Sequence, residues 1–156
     1  MNKLEFKSEK DRRDKAGRMA GTGSEEINRI EGLDILEHTG NGFQTMIRFE
    51  SWRIALAVRG TDQEEAPIRE LSRHLETDEV FVLLKGGCTI FTGGQGEEPS
   101  DIMATGMEPF RLYNIRKGTW HARTLLPGSE ILVVENDGTG PQNSESKALP
   151  EGMALS

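Results

Sequence analysis

Residues 43–59 read FQTMIRFESWRIALAVR, and along them side chains alternate in kind twice over. Phe43, Thr45, Ile47 and Phe49 alternate with Gln44, Met46 and Arg48. After a break at Glu50-Ser51, Trp52, Ile54, Leu56 and Val58 alternate with Arg53, Ala55, Ala57 and Arg59. Period two sends successive side chains to opposite faces of an extended strand, whereas a helix repeats near 3.6. Two such segments in succession predict half-buried antiparallel strands. The Gly40-Asn41-Gly42 cluster just before them is a tight-turn signal.

The rest of the chain follows the same plan. Val80-Phe81-Val82-Leu83-Leu84 is a short apolar run, rich in β-branched and aromatic residues and closed by Lys85-Gly86-Gly87; Cys88–Thr92 then makes the second arm of a hairpin. Phe110–Ile115, Trp120–Leu126 and Glu130–Glu135 are three further strands, separated by Arg116-Lys117-Gly118 and Pro127-Gly128-Ser129. Residues 93–106 read as an exposed polar loop. Residues 61–75 are open between an irregular loop and a helical turn, because Ile68, Leu71 and Leu75 follow Pro67 at helical spacing. At least seven short strands, frequent turns and no dominant helix predict an all-β sandwich or barrel. The expected division is a flexible charged extension at 1–27, a barrel domain at 28–137 and a loop-like tail at 138–156, from which Leu149 and Met153 reach a neighbouring surface.

Composition excludes several functions. A length of 156 residues suits one domain, and a net charge of −7 argues against nucleic acid, which needs clustered Lys and Arg. No apolar run is long enough to span a bilayer, and the charged N-terminus lacks an apolar signal core, so the expectation is a soluble, cytoplasmic protein without membrane association. The single Cys88 forms no internal disulfide and reads as a small buried hydrophobe. There is no G-x-S-x-G elbow and no phosphate-binding P-loop.

Chemistry is left to a few polar residues at strand entrances. The chain has three histidines, His38, His74 and His121. Glu79 shares a strand face with Phe81 and Leu83, and Asp78 takes the opposite one; His121 shares a face with Arg123 and Leu125. If both strands line one interior, Glu79, His121 and Arg123 converge there. His74 has the wrong parity for a straight strand into Glu79 and needs a bend at Glu76-Thr77-Asp78 to join them. Two histidines and one carboxylate with open positions form a ligand set for Fe(II), Mn, Ni or Zn. The competing readings are a surface His74 at the end of a short helix, a solvated Glu79 and a hydrogen-bonded His121 in a sheet. For Arg123 the choice lies between capture of a substrate carboxylate or phosphate and an ion pair with Glu79. Tyr113, the only tyrosine, offers a hydroxyl to a ligand or packs. Trp52 and Trp120 read as anchors of a core or a dimer interface, and His38 as a surface residue.

HLETDEVFVLLKG (74–86) resembles the first motif of the cupins, in which a histidine pair precedes a glutamate, six residues and a glycine: His74 stands for the second histidine, and Glu79 and Gly86 fit the remaining spacing. RKGTWHARTLL (116–126) resembles the second, proline-x-glycine-x-x-histidine, through Gly118 and His121. The resemblance covers roughly residues 43–136. Ser72 replaces the first histidine, Arg116 the proline and Leu125 a trailing asparagine, so the ligand set falls from four to three. The resemblance implies a double-stranded β-helix (jelly-roll) barrel, often homodimeric, holding one divalent metal through His74, Glu79 and His121. It implies isomerase, lyase or dioxygenase chemistry on a small molecule, expected here to be an anionic metabolite held with help from Arg123 and Tyr113. No residue is assigned a catalytic role. The rival expectation is a metal-free ligand-binding or regulatory cupin.

Overall fold

The computed structural model of the protein describes residues 24–156, with side chains from residue 31 onward. Most of the expected charged extension therefore lies outside the described residues. Its last part does not: β1 (Ser24–Ile30) is a strand, paired antiparallel with β2 (Leu33–His38) in a two-stranded ribbon. The remaining strands are β3 (Gly42–Phe49), β4 (Trp52–Val58), β5 (Glu70–His74), β6 (Glu79–Lys85), β7 (Cys88–Thr92), β8 (Met103–Gly106), β9 (Leu112–Ile115), β10 (His121–Leu125), β11 (Glu130–Asn136) and β12 (Ser144–Ala148). No helix among the described residues is long and apolar enough to cross a membrane.

Two five-stranded antiparallel sheets form the body. The first runs β12-β5-β10-β7-β8 and the second β3-β4-β11-β6-β9. From β4 to β7, and again from β8 to β12, the chain changes sheet at every step. This is the double-stranded β-helix, or jelly roll, that was expected. Between the sheets lies one core of Ala55, Ala57, Phe81, Leu83, Cys88, Ile90, Met107, Ile115, Leu125, Ile131 and Val133, against which Tyr113 packs. These residues are the inward members of the alternating strands, so period two in the sequence becomes inside and outside in the fold.

Four segments depart from expectation. The segment 80–92 is no hairpin, because β6 and β7 lie in different sheets and do not pair. Residues 70–74 form neither a loop nor a helical turn but strand β5, because Leu71 turns outward into a second cluster while Ser72 and His74 lie on the other face. The polar segment 93–106 ends in β8, paired with β7. The tail is also structural: β12 pairs with β5 over five residues, and Ile68 bridges Leu155. Leu71, Phe91, Trp120 and Leu149 make the second cluster, on the outer side of the first sheet, with Ile68, Ile102, Ala122 and Leu155 around it.

Candidate metal centre

His74 ends β5 in the first sheet and Glu79 opens β6 in the second, so the four residues between them carry the chain across the barrel. That crossing supplies the bend needed for both side chains to turn inward. His121 opens β10, beside β5, with its Cα paired to Ser72. The two motif segments are tied directly, because the Gly118 N–H donates to the His74 carbonyl at 2.7 Å. Asp78 reinforces the tie from outside: its carboxylate accepts from the Lys117 N–H and the Asn114 side-chain amide, both at 2.9 Å. Those hydrogen bonds, the Asn114 one first, lower the Asp78 pKa. At the other end of β6, Gly86 has φ of 76° and lies so close to Ser129 that a Cβ would strike its backbone and hydroxyl. The motif glycine is therefore required by conformation and by space together.

The outcome is a triad inside the barrel. Glu79 Oε2 lies 2.9 Å from His121 Nε2 and 3.4 Å from His74 Nε2. One donor atom from each residue fits within a 4.8 Å cluster. Glu79 is 8% exposed and His121 7%, while the His74 side chain keeps 18%. The far ring nitrogens are also held. His121 Nδ1 lies 2.9 Å from the Thr119 carbonyl, and His74 Nδ1 2.8 Å from the Ser144 hydroxyl on β12.

A carbonyl oxygen only accepts, so His121 Nδ1 carries a hydrogen and the neutral ring has its lone pair on Nε2. That lone pair faces a carboxylate oxygen at 2.9 Å, and two electron-rich atoms so placed require a cation between or upon them. A proton on the ring meets the need, and so does a metal ion. Two ligand atoms about 2.1 Å from one metal stand about 3.0 Å apart at right angles and about 3.4 Å apart at the tetrahedral angle, a range that covers both observed contacts. The donor set of two imidazoles and a carboxylate, each imidazole steadied through its other nitrogen, fits a divalent transition metal.

With protons alone, the charges also balance. Burial works to raise the Glu79 pKa, but the hydrogen bonds from His121 and His74 and their charge outweigh it and bring the carboxyl down to about 2. The His74 pKa is raised, chiefly by its hydrogen bond to Glu79 and against the effect of burial. Buried Glu135 adds to that rise, although its own charge is met by Arg53 at 2.8 Å.

Other residues singled out in the sequence fall in different places. Arg123 points inward from β10, half-buried, with its guanidinium 5.8 Å from the Phe81 ring. Among the described residues it forms no ion pair with Glu79. It lines a cavity of about 280 Å³ together with Phe43, Ala57, Arg59, Glu65 and Leu125, and no triad residue lines that cavity. The Tyr113 hydroxyl accepts from the Glu108 N–H at 2.8 Å. Ser72, in place of a ligand, bonds the Ser146 hydroxyl at 3.0 Å. His38 ends β2 and bonds the Gly42 carbonyl. Ser144, Asp78 and the Arg53–Glu135 pair were not foreseen as parts of the site. Glu135 left a trace in the sequence through its parity with Ile131 and Val133, and Asp78 only through the face opposite Glu79.

No family model and no curated protein matches the chain. Solved structures do. A cupin-2 domain containing protein from Shewanella frigidimarina NCIMB 400 is 18% identical, with 61% of this chain and 79% of that one covered at a TM-score of 0.45. A 3,4-ketoisomerase from Helicobacter canadensis is 16% identical over 80% of this chain and 85% of that one, at 0.49. The capsular polysaccharide assembling protein CapF from Staphylococcus aureus is 13% identical over 69% of this chain and 29% of that one, at 0.50. Likeness at such identities speaks to fold. The sheet order by itself is that of a jelly roll, and the two segments that resemble the cupin motifs bring the triad together inside it.

Proposed function

We propose that the protein binds one divalent metal, of the Fe, Mn, Ni or Zn class, through His74, Glu79 and His121, and acts on a small anionic metabolite inside the barrel. The observation that carries this is the shared Glu79 Oε2, which faces two imidazole Nε2 atoms at 2.9 and 3.4 Å. A metal bound there supplies Lewis-acid or redox chemistry to a substrate oxygen. The chain's own residues hold and orient. Thr119 and Ser144 set the ring planes, and Arg123 offers a forked cation whose donors meet no hydrogen-bond acceptor among the described residues. Such a guanidinium suits a carboxylate or phosphate. Tyr113 still has its hydroxyl proton to give.

A second reading has its own support. With Ser72 where a fourth ligand would stand, and with His74 and Glu79 shifted toward a proton-bridged ion pair, the same residues balance without metal and serve a binding or regulatory pocket. Metal analysis separates the two. Untagged protein reconstituted with each of the four metals should hold about one equivalent of at least one of them, and Glu79→Gln, which keeps the side-chain shape, should lose it. Failure of every metal to bind after reconstitution overturns the first reading in favour of the second.

A further inference from the structure

We infer that a cleft on the outer side of the β12-β5-β10-β7-β8 sheet is a ligand site separate from the triad, for a small molecule with an apolar body and one cationic group. The cleft has a volume of about 680 Å³, and no triad residue lines it. Phe91 on β7 and Leu149 just after β12, both buried members of the outer cluster, belong to its lining. Ile102 and Ala104 line it from the segment that enters β8, and Met153 and Leu155 from the C-terminal tail. Both segments are pinned by backbone. The Ser100 N–H donates to the Gly93 carbonyl at 2.9 Å and the Leu149 N–H to the Arg69 carbonyl at 2.8 Å. Leu155 exchanges two backbone hydrogen bonds with Ile68, at 3.0 and 3.1 Å. An ion pair of 2.5 Å between Glu98 and Lys147 ties one segment to the other. Walls held in this way form the cleft before any ligand arrives, and its size falls within the ~300–1,000 Å³ of small-molecule sites.

Charge decides the kind of ligand. Two carboxylates line the cleft, Glu98 and Asp101. Lys147 meets the first, whereas Asp101 meets no cation among the described residues. A net charge of −7 on the whole chain repels an anion and favours a cation at such a rim. An apolar lining with one free carboxylate therefore calls for an apolar body and a single positive charge. Phe91 and the adaptable thioether of Met153 suit a flat aromatic body. Asp101 has φ of 47°, a backbone conformation that Asp and Asn adopt more readily than other residues with a side chain. Asp101→Asn thus removes the charge and keeps the turn.

Calorimetric titration of the intact chain with tryptamine tests this, because an alkylamine stays protonated at pH 7 as a lysine does. One equivalent should bind saturably. Indole-3-propionate, with the same ring and the opposite charge, should bind about tenfold more weakly, since repulsion replaces attraction. Asp101→Asn should weaken tryptamine about threefold, the scale of one exposed ion pair. Ala104→Trp, which fills the cleft, should abolish binding. Should circular dichroism show that Ala104→Trp fails to fold, the exposed Asp101→Asn and the two probes still decide the matter. Tryptamine should bind equally with and without a chelator, so failure of the metal reading leaves this test intact. Absence of saturable binding overturns the inference, whether residues 1–23, a second copy or nothing fills the cleft. Equal affinity for the two probes, binding indifferent to the folded variants, or binding lost with the chelator overturns it as well.

Discussion

The two histidines of the triad are held by different kinds of structure. His121 is fixed from within its own turn: the carbonyl it bonds belongs to Thr119, two residues earlier, and no side-chain substitution removes a carbonyl. His74 is fixed from a distance by the Ser144 hydroxyl, seventy residues on and carried by the C-terminal strand. A carbonyl permits one tautomer, whereas a hydroxyl gives or accepts and permits either. One arm of the site is thus predetermined by local backbone, and the other depends on tertiary assembly and can be tuned.

The largest effect that tests this contrast is His121→Ala. It should cut metal affinity by more than the ~10–100-fold that follows loss of an outer-shell partner, and it should exceed the effect of His74→Ala. Calorimetric titration with the metal that reconstitutes best measures both, and equal losses would erase the distinction. Ser144→Ala comes next, with an expected ~10-fold weakening; an unchanged affinity would show that β12 does not steer His74.

The pH dependence sharpens the same point. A carboxyl lowered from 4.5 to about 2 adds stability that is fully present above 4.5 and is lost as pH falls toward 2. A histidine raised above 6.5 adds stability that is fully present below 6.5 and is lost as pH rises through its folded value. The metal-free triad therefore supports the fold best between 4.5 and 6.5. Metal requires a neutral His74, so affinity should climb with pH above that window. Melting curves across pH, with and without metal, should diverge in that direction. Asp78→Ala is the smallest perturbation, since it loosens the turn ahead of His121 from outside; less than about tenfold in metal affinity is expected, and a greater loss would show that His121 also depends on remote support.

The same division explains what could be read from sequence. His74, Glu79 and His121 were legible because they sit in short segments with fixed spacing beside strands of clear alternation. Parity gave Glu79 and Arg123 a common inward direction but not their depth, and Arg123 stands over Phe81 instead of against Glu79. β5 and β12 were hidden for a different reason. Glu70–His74 has one large apolar residue, and Ser144–Ala148 has none. Each is extended because the other, or β10, offers a free sheet edge, and that pairing lies beyond any local window. Ser144 was invisible with them.

The strand that carries Ser144 also imposes an order of events. Synthesis runs from the N-terminus, so His74, Glu79 and His121 are all made before Ser144. The hydroxyl bonded to His74 is thus the last of the four groups to be made. On the proposed metal reading, capture at full affinity waits for β12, and a chain cut before that strand would keep all three side chains of the triad but lose the hydrogen bond to His74.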